Sequence, residues 1–167
     1  NYFKNKLSQT INFINSDFKN KNNLLGSAYD ADSEGVEGKF YTWKYEELKN
    51  ILENDLDLLK KKYEISESGN FEGLNILVEK NNHKLTADEY DKIKKIEEKL
   101  KNIRDKRIKP FFDDKTQTDL NSYWIYSILH SSFILNDKKL FDQANEYFNN
   151  LKKILSKNIF HCYNKDR

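Results

Sequence analysis

Near the end of the chain, Leu140, Phe141, Ala144, Tyr147, Phe148, Leu151, Ile154 and Leu155 recur at helical spacing and form one wide apolar stripe. Just before them, Leu120, Trp124, Ile128 and Leu135 lie along a second helix that is apolar on its flanks as well. Only Asn136-Asp137-Lys138 separates the two, and Asp137 suits a helix N-cap. A connection this short forces neighbouring antiparallel helices, an αα-hairpin. With 1 Pro and 5 Gly in 167 residues there are few helix breakers, so the same helical grammar governs most of the chain.

Phe3, Leu7, Ile11, Ile14 and Phe18 predict an opening amphipathic helix. A helix starting at Thr42 or Lys44 carries Glu46 and Glu47 in its first turn, favourable against the helix dipole, with Leu48, Ile51, Leu52, Leu58 and Leu59 on its apolar side. From Ile65 to Lys80 helical spacing disappears. Gly69-Asn70 and Gly73 mark turns, and Asn75–Val78 reads as a short strand. Thr86-Ala87-Asp88-Glu89 is a capping box, followed by a narrow seam of Ile93, Ile96, Leu100 and Ile103 that Pro110 brings to an end.

Composition limits the function classes. Net charge is +2, with Lys and Asp/Glu interspersed, which offers no basic face for nucleic acid. Aromatic residues make up 14% of the chain, too many for a disordered segment. The polar excess, mostly Lys and Asn, reads as a surface around an aromatic core. One cysteine, Cys162, precludes an internal disulfide and a multi-cysteine metal site. No apolar run has the length of a membrane span and no signal-peptide core is visible, so a soluble cytoplasmic protein is expected. There is no Met, and the sequence opens on Asn1, which reads as a processed chain or a fragment.

The densest chemistry lies in DADSEGVEGKFYTW, where Asp30, Asp32, Glu34 and Glu37 precede Tyr41 and Trp43. As a calcium loop it fails. The apolar position falls on Glu37, and the closing bidentate Glu position falls on Tyr41. Two readings remain from the residues alone. Paired carboxylates split their pKa values into proton donor and acceptor, and on one strand Asp30, Asp32 and Glu34 would share a face. Alternatively, this is a solvated acidic hairpin, with β-prone Ser27–Tyr29 and Phe40–Trp43 flanking a glycine turn.

A second polar cluster, RDKRIKPFFDDK, holds Arg104, Arg107, Asp113, Asp114 and Lys115. It reads either as an anion-binding Arg pair or as a helix C-terminus capped by cations before an acidic loop. His83 falls in a polar loop, His130 reads as a half-buried residue of an apolar helix, and the three His together show no metal-binding spacing. No phosphate-binding glycine loop, serine elbow or Cys-x-x-Cys occurs.

Four strings in order, SAYDADSEGVEGKFYTW (27–43), YEISESGNFEGLNIL (63–77), RDKRIKPFFDDKTQT (104–118) and FHCYNKD (160–166), resemble hallmarks of the thioredoxin-domain-containing, spermatogenesis-associated protein family. That resemblance implies a mainly α fold. Residues 1–167 would form a single domain, an early-to-middle part of an (α/α) toroid of antiparallel helical hairpins with a small β-hairpin. Such toroids are similar to N-acylglucosamine 2-epimerases and six-hairpin glycosidases. An N-terminal thioredoxin-like domain and later hairpins would be absent, leaving uncovered helix faces prone to self-association.

By the same resemblance the intact protein binds or transforms a carbohydrate, and this chain alone is inactive. Asp30, Asp32 and Asp114 are then candidate catalytic carboxylates. Glu34, Glu37, Tyr41, Trp43, Asp113, Lys115 and Asn121 are candidate substrate contacts, with Trp43 stacking on a sugar. No metal or cofactor is implied. Where the family reads LTSWNG after DDK, this chain keeps Asn121 but has Leu120 and Ser122 for Trp and Gly, and the epimerase-type His pair has no counterpart. The alternative is a non-catalytic scaffold or interaction domain that partners the thioredoxin-like domain.

Overall fold

The computed structural model describes residues 2–156 and 158–163. It is mainly helical, with small antiparallel two-stranded sheets. The chain divides into two compact units: residues 1–30 with 112–167, and residues 31–111 between them.

Unit 1 begins with α1 (Tyr2–Asp17) and is dominated by α5 (Thr118–Leu135) and α6 (Lys138–Leu155). Asn136 takes the left-handed conformation that ends α5 (φ 52°, ψ 48°), and the Asp137 carboxylate accepts the Lys139 amide at 2.8 Å to start α6. Leu24, Leu25, Ile128, Ala144, Tyr147 and Leu151 form the buried centre, with Ile14, Phe18 and Trp124 against it. Of the stripe expected on α1, Ile11 is buried, whereas Phe3 points to solvent. Strands β1 (Ala28–Tyr29) and β6 (Phe112–Asp113) pair antiparallel, Ala28 opposite Asp113 and Tyr29 opposite Phe112. Another pair, β7 (Thr116–Gln117) and β8 (Cys162–Tyr163), ties the end of the described chain to the start of α5. The last string of the family resemblance continues through residues 164–166, which lie outside the described residues.

Unit 2 contains β2 (Asp32–Ser33), β3 (Val36–Glu37), α2 (Tyr45–Leu52), a 3-10 turn (Glu53–Asp55), α3 (Leu56–Lys62), β4 (Tyr63–Glu64), β5 (Val78–Glu79) and α4 (Ala87–Arg104). Its core joins Trp43, Leu48, Leu52, Leu56 and Leu59 to the Ile93, Ile96 and Leu100 seam of α4. The capping box forms as expected: the Thr86 hydroxyl accepts the Glu89 amide, and the Glu89 carboxylate accepts the Thr86 amide at 2.9 Å. The strand expected at Asn75–Val78 begins later, at Val78, and Asn75 instead makes an isolated bridge to Trp43.

Both units bury asparagines, contrary to the expectation that this residue type belongs to the surface. In unit 1, fully buried Asn121 accepts the Leu25 amide at 2.8 Å and donates to the Leu25 and Gln117 carbonyls at 3.0 and 2.9 Å. In unit 2, Asn75 treats Ser66 the same way, accepting its amide at 2.9 Å and donating to its carbonyl at 3.0 Å. Asn70 does so with Ile76, at 2.8 and 2.9 Å. A carboxamide has the donor and acceptor of a peptide group, so each side chain acts as a strand one residue long. At Asn121 and Asn75 it satisfies backbone that would otherwise be buried unpaired, whereas Asn70 does the same at an exposed turn.

Candidate functional site

The acidic stretch forms the exposed acidic hairpin of the second reading, with its strands placed differently. The hairpin lies inside it: β2 and β3 pair Asp32 with Glu37 and Ser33 with Val36, and the flanking Ser27–Tyr29 and Phe40–Trp43 segments do not pair with each other. Glu34 and Gly35 make the turn with φ of 54° and 72°, the doubly left-handed geometry that matches strand twist. Gly35 suits that conformation, whereas Glu34 is strained by it. The Glu34 carboxylate lies 2.9 Å from Lys39 Nζ. Asp32 and Glu37 face each other across the ladder, where like charges repel. Asp30 lies before β2 and Glu34 in the turn, so the shared strand face does not form.

Behind the hairpin the chain turns through Gly38 and delivers Phe40 and Trp43 to the interior. Trp43 is 3% exposed, and its backbone pairs with Asn75 in both directions, at 2.9 and 2.7 Å. Its ring is covered by the Arg107 guanidinium, 4.0 Å from the ring centroid. The expected sugar platform is therefore already occupied. Arg107 itself, at the close of the α4 region, turns inward. Its Nη1 donates to the Thr42 and Phe40 carbonyls at 2.7 and 3.0 Å, and its Nη2 pairs with Glu47 at 2.8 Å. α4 does end on cations, Lys101 and Arg104, and Arg107 beyond it forms a clasp that fastens the aromatic segment to α2. Arg104 stacks near Phe40 and Tyr41, at 5.4 and 5.7 Å from their rings.

The candidate catalytic carboxylates are divided between the units, Asp32 in unit 2 and Asp30 and Asp114 in unit 1. Within unit 1 the antiparallel register sends the latter two in opposite directions. Asp30 follows the Tyr29–Phe112 pair and Asp114 lies beyond the Ala28–Asp113 pair, so they sit three register steps, roughly 10 Å, apart. That is too far to share a proton. Asp114 lies 3.6 Å from Lys21 Nζ, and Asp113 pairs with Lys115 at 3.0 Å and accepts the Lys115 amide at 3.3 Å. Asn121, expected to touch substrate, spends its carboxamide on the backbone. Tyr41 stands half-exposed, edge-on to Phe40 at 4.9 Å. His130 is exposed rather than half-buried, and stacks on Tyr126 at 5.9 Å. His83 sits in its loop with Nδ1 2.9 Å from the Lys80 carbonyl. Among the described residues, no group of three or more His, Cys, Asp or Glu could hold a metal ion. No described helix is long and apolar enough to cross a membrane.

What the structure does bring together is a cavity of about 430 Å³ within unit 2. Ser33, Glu34 and Lys39 come from the hairpin, Lys44 and Glu47 from the start of α2, Leu74 from the central loop, and Lys106, Arg107 and Ile108 from the segment after α4. Ser33 fastens two of these walls by donating to the Ile108 carbonyl at 2.5 Å. Three strings far apart in sequence thus line one space. Of the sequence candidates, Glu34 and the Arg107 of the candidate Arg pair reach it. Lys39, Lys44, Glu47 and Lys106 are not among the sequence candidates. No known protein family and no curated protein matches the chain.

The largest charge perturbations lie elsewhere in unit 2. Burial, reinforced by its hydrogen bond to Glu97 at 2.7 Å, pushes the Tyr63 hydroxyl far above its ordinary range. The same carboxylate oxygen receives buried Lys62 at 2.7 Å. These groups close on one another and on the rings of Tyr63 and Tyr90, 5.2 and 5.6 Å from Lys62 Nζ. That arrangement staples α3 to α4.

Proposed function

We propose that the chain is a non-catalytic helical scaffold, a run of hairpins in an (α/α) toroid of the kind that accompanies a thioredoxin-like domain. One observation carries this reading: α5 keeps large apolar side chains on its outer face as well as its inner one. Its inner residues Ile128 and Leu129 pack in unit 1, yet Tyr123, Tyr126 and Phe133 are 74%, 63% and 71% exposed. Large apolar side chains on an outer face call for a cover, which further helices would supply. The polar residues of the resembling strings point the same way. Asn75, Asn121, Arg107 and Ser33 direct their side chains to backbone partners within the chain.

Sedimentation velocity over a concentration series tests the reading. The chain is expected to self-associate, and Tyr126→Glu with Phe133→Glu to restore a monomer. A monomer at every concentration that also fails to bind an apolar dye would overturn it.

A second reading, a toroid that binds or transforms a carbohydrate in epimerase- or glycosidase-like fashion, draws support from the convergence of three strings on the unit 2 cavity. Its test is a thermal-shift screen of sugars with Glu34→Gln beside Asp32→Asn and Asp114→Asn. A shift lost only in Glu34→Gln supports the cavity, and no shift with any sugar removes the reading.

A further inference from the structure

We propose that the unit 2 cavity is a binding site for a small organic oxyanion, a phosphate monoester or a carboxylate. Its volume, about 430 Å³, lies in the range of small-molecule sites. Four cations line it, Lys39, Lys44, Lys106 and Arg107, against two carboxylates, Glu34 and Glu47. Both carboxylates are already engaged, Glu34 with Lys39 at 2.9 Å and Glu47 with Arg107 at 2.8 Å. The ammonium groups of Lys44 and Lys106 pair with no carboxylate among the described residues. They come from separate elements, one at the N-cap of α2 and one just past α4, and line the same cavity.

The surroundings favour an anion over a hydrated counterion. Phe40, Leu74 and Ile108 give the cavity apolar lining, which strengthens attraction between a bound oxyanion and the two ammonium groups. Arg107 adds positive charge from a fixed position, because the Thr42 and Phe40 carbonyls and the Trp43 ring hold its guanidinium. Its Nη1 is spent on carbonyls and its Nη2 pairs with Glu47, so it contributes mainly field, and direct contacts fall to the lysines. This inference does not depend on the scaffold reading or on the carbohydrate reading, since it asks only for the charge and shape of this one cavity.

The test titrates the chain with glycerol phosphate, glycerate and neutral glycerol at constant ionic strength. Backbone amide NMR shifts of residues 33–47 and 106–108 are the readout. Saturable shifts are expected with one or both anions and none with glycerol, and whichever anion binds more tightly identifies its source as phosphate or carboxylate. Lys44→Gln and Lys106→Gln should each weaken binding about tenfold, the loss of one charge-assisted contact. Lys94→Gln, an exposed lysine of α4 that does not line the cavity, should leave affinity unchanged. Lys44 and Lys106 are exposed and make no side-chain hydrogen bond or ion pair among the described residues, so their variants are expected to unfold at the wild-type midpoint. Absence of saturation with either anion, binding of glycerol at equal strength, or equal weakening by Lys94→Gln would each overturn the proposal.

Discussion

Replacing Arg107 tests whether the clasp, rather than its charge, holds the aromatic segment of unit 2. In Arg107→Ala the Thr42 and Phe40 carbonyls, now reached at 2.7 and 3.0 Å, lose their donor. An orphaned buried carbonyl costs about 1–3 kcal/mol, and these two are only partly buried, which places each near 1 kcal/mol. Loss of the stack on Trp43 adds about 1 kcal/mol. The Glu47 side chain is more than a third exposed, and its pair is left out of the sum because solvent screens it. The total is about 3 kcal/mol. Arg107→Lys keeps the charge but reaches one carbonyl at best and cannot stack flat, so about 2 kcal/mol should still be lost. Urea unfolding followed by Trp43 fluorescence reads this directly. Of the 2 Trp in the chain, Trp124 belongs to unit 1, and Trp124→Phe leaves a reporter in unit 2 alone. With a slope of about 1.5 kcal/mol/M, the alanine midpoint should fall by about 2 M. If Arg107→Lys unfolds within about 0.5 kcal/mol of the parent, charge alone suffices and the clasp argument fails.

Asn121→Ala orphans the Leu25 amide and carbonyl in the core of unit 1. It should cost about 3 kcal/mol in chemical unfolding, and a loss below about 1 kcal/mol would show that water replaces the carboxamide. Gly69 has φ +74°, and a Cβ there would run into the Gly73–Leu74 backbone, so Gly69→Ala should destabilise unit 2 by at least about 2 kcal/mol, again by urea midpoint. Hydrogen bonds from Lys61 and from the Thr86 amide hold the Glu89 carboxyl down at about 2. Because that pKa is depressed, the contribution is present above the ordinary carboxylate value, near 4.5, and is lost as pH falls through about 2. Amide exchange at the first turn of α4 should therefore accelerate over that window in the parent, and Glu89→Gln should flatten the dependence.

The parts legible in the sequence are those whose cause is local. The α5–α6 hairpin follows from stripes at helical spacing and a three-residue connection that leaves no room for another topology. The Thr86–Glu89 box is equally local, since both partners lie within one turn. The acidic hairpin was misplaced because β-prone aromatics outside it outweighed a turn signal inside it. Glu34 adopting a left-handed φ is a cost that propensity does not anticipate, and its pairing with Lys39 follows only once the turn exists.

The candidate site failed for a different reason. Carboxylates draw attention because they can do chemistry, yet only Glu34 of the candidate carboxylates reached the unit 2 cavity, and its partner there is a lysine. The cavity's character comes instead from Lys44 and Lys106, residues that in sequence look like any of the chain's solvated lysines. What distinguishes them is that, without a carboxylate partner among the described residues, they line one cavity together, a property of the folded surroundings with no signature in spacing. Arg107 shows the converse. It looked like a free cation capable of gripping an anion, and folding turned its Nη1 to carbonyls more than sixty residues away and its Nη2 to Glu47. For charged side chains, then, sequence reveals capacity, while folding decides which capacity remains unused. In the unit 2 cavity the unused remainder is positive, and an oxyanion is the chemistry that would complete it.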